Sequence, residues 1–175
     1  IGDPSGKDKA RKVLAESEVR RNYKTYKKQI LKILDPKKTT FRFNSEWWNK
    51  MSAKKLLELD DLFTHQQVIE RDMFQRRIKE NKPISIKEFQ YPLLQGYDSV
   101  ALKTDIELGA TDQLFNMMAG RELEKIYLKK EKFVITTPLL VNPKTGNKLM
   151  SKSEGNYISL RDSANQMYGK TMALP

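Results

Sequence analysis

Apolar residues recur with a helical period along two long stretches of this chain. In residues 9–34 the apolar side chains lie alternately four and three positions apart, which predicts one amphipathic helix. In residues 86–102 the same kind of spacing predicts a second helix, whose apolar side is formed by Phe89, Leu93, Tyr97 and Val100. We therefore expect two long helices with a less regular region between them.

The region between these helices has a weaker pattern. Residues 39–43 alternate and are rich in β-forming side chains, which predicts a short strand. Residues 44–62 then hold short apolar clusters interrupted by charges, which favours small helices, and residues 68–78 are predicted to form another helix that ends before Pro83. We predict that these helices form an insertion that packs on a partner subunit, and packing within the same chain explains the pattern equally well.

Two compact apolar runs in the second half predict β-strands. Residues 105–108 run into a glycine turn, and Thr111 is the predicted N-cap of a helix that continues to about Tyr127. Residues 133–137 have the composition of a buried strand. A strand, a glycine turn and a helix start in this order resemble the carboxyl edge of a doubly wound sheet, where ligands bind. The sequence therefore predicts an α/β fold.

Composition narrows the classes of function. The chain has 175 residues, so it is one domain or part of a larger one, and its formal net charge of +11 favours a nucleic acid or nucleotide partner. The sequence has no cysteine and a single histidine, His65, which argues against disulfides, zinc sites and a Ser-His-Asp triad. It shows no signal peptide and no apolar run long enough to span a bilayer, so we expect a cytoplasmic protein.

Polar side chains form two candidate binding groups. In the predicted helix of residues 86–102, Tyr91, Gln95 and Asp98 are spaced four and three apart, so they align on a stripe of their own. A phenol, an amide and a carboxylate on one stripe can hydrogen-bond a polar ligand together. The alternative is a half-exposed polar face of the helix, which has the same pattern. Asp112, at the glycine turn, suits hydrogen bonds from ribose hydroxyls or, as the alternative, a simple interaction with the helix dipole.

The loop of residues 148–156 carries the most distinctive candidate chemistry. Lys148, Ser151, Lys152 and Ser153 lie together there, and Gly155 follows them. Flexible ammonium groups and hydroxyl donors suit a polyphosphate whose charge must be neutralised as it moves. A solvated surface loop is the alternative for a generic run of this composition.

Four sequence blocks resemble the bacterial-type tyrosyl-tRNA synthetases, which are class I aminoacyl-tRNA synthetases. The blocks are Ile1-Gly2-Asp3-Pro4-Ser5-Gly6-Lys7, Tyr91-Pro92-Leu93-Leu94-Gln95-Gly96-Tyr97-Asp98, Glu107-Leu108-Gly109-Ala110-Thr111-Asp112-Gln113 and Leu149-Met150-Ser151-Lys152-Ser153-Glu154-Gly155-Asn156. The last is similar to the Lys-Met-Ser-Lys-Ser signature of class I enzymes, and four blocks in order are far more specific than one. The resemblance implies part of a Rossmann-type nucleotide-binding catalytic domain with a helical insertion, which activates tyrosine with ATP and transfers it to tRNA(Tyr).

The resemblance implies roles for particular residues of the amino-acid site. Asp98 would accept the hydrogen bond of the substrate's phenolic hydroxyl, and an acceptor left unpaired by phenylalanine would exclude that amino acid. Tyr91, Gln95 and Asp3 would hold the substrate's ammonium group.

The resemblance also implies a nucleotide site. Asp112 would bind the ribose, and Gln113 would lie near the carboxylate and the α-phosphate. Lys152, together with Lys7, Arg11 and Lys148, would neutralise the leaving pyrophosphate, with Mg²⁺ expected on the phosphates and no metal held by the protein itself. The remaining residues of the implied ATP site are Gly109, Leu139, Leu140, Met150 and Ser151.

Two departures from the family pattern shape the expected organisation. Leu149 occupies the first position of the signature, and Lys148 lies one residue earlier. No His-Ile-Gly-His signature is present, and the family carries it upstream of the turn at Gly2. We therefore expect residues 1–140 to be the later part of a catalytic domain, with the insertion at about 44–82 and a signature loop and linker at 141–175, and we expect the isolated chain to have little or no activation activity.

Other interpretations remain open at this point. The resemblance implies a homodimer and no membrane association. A tryptophanyl-tRNA synthetase is the nearest alternative, and the stripe of Tyr91, Gln95 and Asp98 argues against it. A non-catalytic RNA-binding relative is the second alternative, and the presence together of Asp112, Gln113 and Lys152 argues against that.

Overall fold

The computed structural model describes residues 14–141 and 157–173, which fall into two compact units. The first unit contains residues 42–137, and the second contains residues 14–41, 138–141 and 157–173. The helices are α1 (Glu16–Ile30), α2 (Ser45–Trp48), α3 (Ala53–Asp60), α4 (His65–Ile69), α5 (Asp72–Lys79), α6 (Ile86–Leu102), α7 (Leu114–Leu128) and α8 (Ala164–Met172). The strands are β1 (Ile106–Ala110) and β2 (Phe133–Thr137), and a 3-10 turn at Thr111–Gln113 joins β1 to α7.

A β-α-β arrangement forms the centre of the first unit. Strands β1 and β2 pair in parallel, with Ile106 opposite Phe133 and Ala110 opposite Thr137, and α7 connects them. Parallel strands joined by a helix are the repeating element of doubly wound α/β folds. The predicted α/β class, both later strands and the helix of residues 86–102 are therefore confirmed.

Helices α6 and α7 pack with their backbones in close contact. A Cβ atom on Gly96 would lie 2.9 Å from the backbone nitrogen of Gly120, which is closer than real Cβ atoms approach other atoms. Leu93 of α6 and Leu123 of α7 belong to one buried cluster with Leu59 of α3. The missing side chain at Gly96 therefore sets the spacing between the two helices.

Gly96→Ala should destabilise the first unit by about 1–3 kcal/mol, because the added methyl group forces α6 and α7 apart in a packed core. A urea titration of the variant and the parent chain measures this free energy of unfolding. Gly169→Ala in α8 is the matched control, because nothing lies within 4 Å of a Cβ atom built there. The control should gain about 0.5–1 kcal/mol, since alanine loses less conformational entropy than glycine in a helix. An equal loss in both variants would contradict the close contact.

Lys132, directly before β2, is a buried cation. Its Nζ donates to Ser99 Oγ of α6 at 2.8 Å and contacts the Glu107 carboxylate of β1. The buried Glu124 of α7 accepts a hydrogen bond from the backbone N–H of Thr104 at 2.7 Å. These bonds tie the end of α6, both strands and α7 together, so polar groups as well as apolar ones hold the β-α-β arrangement.

Arg77 forms a second buried ion pair, which fixes the connection from α5 to α6. Its guanidinium contacts the Glu88 carboxylate and the carbonyl oxygen of Pro83, and Glu88 also accepts from the backbone N–H of Ser85 at 3.0 Å. Burial opposes ionisation of Glu88, but the hydrogen bonds from Arg77 and Ser85 outweigh it, so the pKa of Glu88 is lowered. The ionised pair therefore stabilises the fold above the ordinary glutamate pKa, and that stability is lost as the pH falls through the lowered value.

One face of the two-stranded sheet is exposed. Its side chains are 50% to 71% exposed, and they are Ile106, Leu108, Phe133 and Ile135. The alternating neighbours Glu107 and Val134 are half-buried, because successive side chains of a strand point to opposite faces. The apolar run of residues 133–137 is therefore a strand, as predicted, but the prediction that it is buried is wrong for this face.

Helix α1 is the longest element of the second unit and is shorter than predicted. Within the described part of the predicted range, residues 14 and 15 precede the helix and residues 31–33 form a turn after it. The predicted strand at residues 39–43 is wrong, because this segment has no strand to pair with among the described residues. Phe41 instead packs against Tyr23 of α1, with ring centroids 6.0 Å apart.

The N-cap of α7 lies two residues after the predicted position. Thr111 begins the 3-10 turn and Gln113 is the N-cap of α7, so the predicted cap at Thr111 is wrong.

In residues 14–141 and 157–173 no helix is both long enough and apolar enough to cross a membrane.

Candidate functional site

The carboxylate of Asp98 accepts hydrogen bonds from several side chains. It lies on α6, and its Oδ1 accepts from the indole N–H of Trp47 at 2.7 Å and from that of Trp48 at 2.9 Å. The amide of Asn44 lies 3.5 Å from Oδ2, which is the longest distance that still counts as a hydrogen bond. Two donors therefore hold one oxygen firmly, and the other oxygen keeps capacity for a further donor.

The environment of Asp98 works against its ionisation. Burial raises the pKa of Asp98, and the nearby carboxylate of Glu107 acts in the same direction. The hydrogen bonds from Trp47, Trp48 and Asn44 lower it again without cancelling the effect of burial. A carboxylate that is desolvated yet held by donors is a strong acceptor for a ligand hydroxyl or N–H group.

The short helix α2 delivers the two indoles to Asp98. It spans four residues, Ser45–Trp48, and successive residues of a helix differ by about 100° in direction. Trp48 also packs against the ring of Tyr97, with centroids 5.4 Å apart, and lies against the buried core cluster. Packing of Trp48 therefore holds α2 on α6, which keeps both donors at the carboxylate.

A buried amide joins two of the predicted site residues. Asn116 of α7 is fully buried, and its Nδ2 donates to Gln95 Oε1 at 3.0 Å and to Gln113 Oε1 at 3.2 Å. Gln95 lies on α6 and Gln113 directly precedes α7, so this one side chain aligns groups from both helices. Because each glutamine oxygen accepts from Asn116, this one side chain fixes the orientation of both glutamine amides.

The other predicted site residues in the first unit lie on α6, at the end of β1 and in the turn that follows it. Tyr91 is half-buried, one helical turn before Gln95 on α6. Asp112 is exposed in the turn that follows β1. A Cβ atom on Gly109 would lie 2.7 Å from the sulfur of Met117, so a larger residue at the end of β1 would displace this flexible side chain of α7.

Not all of the predicted site residues belong to the described part of the first unit. Leu139 and Leu140 belong to the second unit, where Leu139 is half-buried and Leu140 is exposed. The remaining predicted site residues lie outside the described residues, and they are Asp3, Lys7, Arg11, Lys148, Met150, Ser151 and Lys152. Among the described residues no group of three His, Cys, Asp or Glu side chains is arranged to hold a metal ion.

Sequence reasoning missed four side chains of this centre: Asn44, Trp47, Trp48 and Asn116. Asn116 lies three positions after Gln113, so helical spacing alone places the two amides on the same side of α7. The Asn44 to Trp48 cluster carries no periodic signal, and its contact with Asp98 spans about fifty positions of the chain. The available signal in the sequence was a pair of adjacent tryptophans in a strongly charged segment, which is an unusual place for large aromatic side chains.

Comparison with known proteins identifies the family of this chain. The family model for class I tRNA synthetases (W and Y) matches residues 1–174. The tyrosine–tRNA ligase of Haemophilus influenzae is 52% identical over 174 residues, which are 99% of this chain and 43% of that protein. The corresponding ligase of Thermotoga maritima is 48% identical over 176 residues, which cover 100% of this chain and 43% of the relative. The chain thus spans less than half the length of these curated relatives.

Solved structures show the same relationship. The tyrosyl-tRNA synthetase of Archaeoglobus fulgidus, complexed with L-tyrosine, superposes with a TM-score of 0.66 and 26% identity over 92% of this chain and 50% of that one. The tryptophanyl-tRNA synthetase of Campylobacter jejuni, complexed with ADP and tryptophan, gives 0.60 at 17% identity over 93% of this chain and 53% of its own, which is a likeness of fold alone. Since the family match covers nearly every residue, the chain belongs to the class I tRNA synthetases of the tryptophan and tyrosine type.

Proposed function

We propose that this chain serves a tyrosine–tRNA ligase, which activates tyrosine with ATP and transfers the tyrosyl group to tRNA(Tyr). The observation that carries the proposal is the Asp98 carboxylate, with one oxygen bonded to two indoles and the other able to accept a further donor. The high identity to curated tyrosine–tRNA ligases supports the same amino acid.

The proposed basis of selectivity is the phenolic hydroxyl. A tyrosine side chain would donate its O–H to Asp98 Oδ2, whereas phenylalanine would leave this half-buried carboxylate without its partner. A site built to bond a substrate hydroxyl rejects the analogue without it by about 10⁴–10⁵-fold, because the buried acceptor is then left unpaired. Asn44, Trp47 and Trp48 would position Asp98 for this task.

The proposed amino-acid site extends along α6. Tyr91 and Gln95 would bind the substrate's ammonium group together with Asp3. The hydrogen bonds from Asn116 would fix the relative positions of Gln95 and Gln113. Gln113 would then lie by the carboxylate that reacts. The support is that one buried amide links both glutamines, so their positions depend on each other.

In the proposed activation step, a carboxylate oxygen of tyrosine attacks the α-phosphorus of ATP. A new carbon–oxygen–phosphorus linkage forms as the bond to pyrophosphate breaks, so the reaction needs positioning and positive charge more than acid–base catalysis. The proposed source of that charge is Lys7, Arg11, Lys148 and Lys152. Mg²⁺ arriving with ATP would neutralise phosphate charge, and Asp112 would bind the ribose. The remaining proposed nucleotide contacts are Gly109, Leu139, Leu140, Met150 and Ser151.

The proposed assembly is a homodimer in the cytoplasm, where tRNA is charged. The helical insertion of α2–α5 is the proposed contact with the partner subunit, because it is a separate run of short helices that precedes α6 and the β-α-β arrangement.

Titration calorimetry with tyrosine, phenylalanine and tryptophan tests the proposed substrate. We expect binding of tyrosine to the chain, with no detectable heat from phenylalanine and little from tryptophan, because only a para-hydroxyl reaches Asp98 in the proposed pose. Stronger binding of tryptophan than of tyrosine would overturn the proposal in favour of a tryptophanyl enzyme, since an indole N–H is also a donor to a carboxylate.

A further inference from the structure

The second unit contains a groove with a strongly cationic lining. The groove has a volume of about 480 Å³ and lies between α1 and the segment that precedes α8. Its lining residues are Lys24, Thr25, Lys28, Gln29, Lys32 and Arg161. Four of these six side chains carry a positive charge and none carries a negative charge, so the groove suits an anion.

The charge on α1 is not balanced along the helix. Residues 19–34 contain six basic side chains and no acidic one. Lys24 and Lys28 are exposed and one turn apart, and like charges at this spacing destabilise a helix. In the part of the chain that the structure describes, neither lysine forms an ion pair, and the same holds for Arg161. An external anionic partner would relieve the repulsion between these two lysines.

Acidic side chains near the groove in sequence do not neutralise it. Asp162, the only acidic residue in residues 157–173, is paired with Lys170 at 2.7 Å. Asp35, three positions after Lys32, accepts from the backbone N–H two residues further on at 2.8 Å. Within the described parts of the chain, neither carboxylate is paired with a cation of the groove, so the positive charge there remains available to a ligand.

The groove is held in shape by a bond across it. Lys32, just after α1, donates its Nζ to the carbonyl oxygen of Leu160 at 2.6 Å. This bond fixes the end of α1 to the segment that carries Arg161, so cations of both walls have defined positions. The polar groups of Thr25 and Gln29 bond to carbonyl oxygens of α1, at 3.4 Å and 3.1 Å, which leaves the cations as the contact groups.

The arrangement fits an extended polyanion better than a compact one. Lys24 and Lys28 lie four residues apart on α1, which corresponds to a rise of about 6 Å, and Lys32 follows four residues later, just after the helix. A row of cations at regular intervals along one wall, faced by Arg161 on the other, can contact successive phosphates of one strand. A single phosphate or carboxylate would use only part of this row.

We propose that this groove binds the sugar–phosphate backbone of RNA. The inference rests on the proposed function, because tRNA is the RNA that a ligase of this kind must hold. The groove is a surface for that RNA, and its residues are remote in sequence from Asp98. Contacts to phosphate position an RNA without reading its sequence. The groove should therefore strengthen binding of any structured RNA, while identity of the tRNA is read elsewhere.

The test is RNA binding by the full chain with the variant Lys24→Gln/Lys28→Gln. The probe is a fluorescent transcript of tRNA(Tyr), followed by anisotropy between about 50 and 200 mM salt, a range over which binding to phosphates weakens steeply. We expect about tenfold weaker binding at the lowest salt, and a salt slope smaller by about one for each phosphate that the variant no longer neutralises. Lys37→Gln/Lys38→Gln is the matched control, because it removes the same charge just outside the groove, and it should retain parental affinity.

Arg161→Gln is a second variant that changes the opposite wall and leaves α1 intact. It should also weaken RNA binding, and circular dichroism should show parental helix content for all three variants. An unrelated RNA hairpin should lose affinity in the same proportion as the tRNA(Tyr) transcript. Equal weakening by the groove variant and by the control would overturn the proposal, as would a parent chain that does not bind RNA.

Two further measurements separate this inference from the proposed substrate. Tyrosine binding by calorimetry should be unchanged in Lys24→Gln/Lys28→Gln, and RNA binding should be unchanged in Asp98→Ala. If the parent chain binds RNA but does not bind tyrosine selectively, that result would count against the ligase and leave the groove standing. Inorganic triphosphate is the last probe: groove-dependent binding of triphosphate without groove-dependent binding of RNA would identify a small-anion site and overturn the proposal.

Discussion

Asp98→Ala is expected to weaken tyrosine binding by about 10- to 150-fold, the equivalent of the ~1.5–3 kcal/mol of a hydrogen bond to a charged group. The variant should also lose most of its preference for tyrosine over phenylalanine, because no acceptor is left for the phenolic hydroxyl to satisfy. Calorimetry with both amino acids measures the two effects. Asp61→Ala is the control, because Asp61 is an exposed carboxylate in the same unit and should leave both affinities unchanged.

The pH dependence of tyrosine binding gives an independent check on Asp98. Because burial raises the pKa of Asp98 above its ordinary value, this carboxylate becomes protonated at a higher pH than an aspartate in water. The proposed hydrogen bond needs the ionised form, so affinity for tyrosine should fall as the pH is lowered through the raised pKa. Asp98→Ala should lack that step, and the same step in the variant would show that another group is responsible.

The raised pKa of Asp98 also lowers the stability of the fold near neutral pH. Its effect on the pH dependence of stability is opposite in sign to that of the lowered pKa of Glu88. A raised folded-state pKa means that the unfolded chain ionises Asp98 more easily than the folded chain does. Stability from this group is therefore present below the ordinary aspartate pKa and declines as the pH rises through the raised value. Near neutral pH the fold carries Asp98 in an unfavourable state, which is expected of a group placed for binding rather than for stability.

Lys132→Met is expected to have the largest effect on stability, a loss of about 3–5 kcal/mol, because it leaves Glu107 beside the buried core without its cation. Lys130→Met is the matched control two positions earlier. Lys130 pairs with Asp105 at 2.7 Å, but the Asp105 side chain is 85% exposed, and exposed pairs contribute about 0–1 kcal/mol. Urea titrations of the two variants measure the difference.

A double variant separates the ion pair from simple packing. Lys132→Met/Glu107→Met removes both charges, and replacing a whole buried pair by apolar groups is often neutral or stabilising. We therefore expect the double variant to regain most of the stability lost in Lys132→Met. If Lys132→Met and Lys130→Met lose the same small amount, the buried pair does not stabilise the fold.

The elements that sequence reasoning predicted correctly are those with a strong local signal. Helix α6 was predicted at its observed bounds, because seventeen residues of regular spacing are reinforced by Glu88 at its start, whose side chain accepts from the Ser85 backbone. Strands β1 and β2 were predicted because each is a compact apolar run next to a turn. The polar stripe of α6 follows from the same periodicity, and Gln95 does join Gln113 through Asn116.

The wrong or missing predictions concern properties that depend on distant residues. Residues 39–43 alternate like a strand, yet a strand needs a neighbour to satisfy its backbone, and the described chain offers none there. The bonds from Trp47 and Trp48 to Asp98 join elements that no local pattern relates. The exposure of Phe133 and Ile135 likewise depends on what covers the sheet, which their own sequence does not specify.

The exposed apolar face of the sheet has a consequence for solution experiments. Four large apolar side chains form one exposed patch: Ile106, Leu108, Phe133 and Ile135. Such a patch favours aggregation of partly unfolded chains. Loss of folded protein on heating should therefore accelerate with protein concentration, and the temperature of half-loss should depend on the heating rate. The kinetic stability of this chain is then set by its unfolding rate and by how often unfolded molecules collide and aggregate, rather than by the folding equilibrium alone.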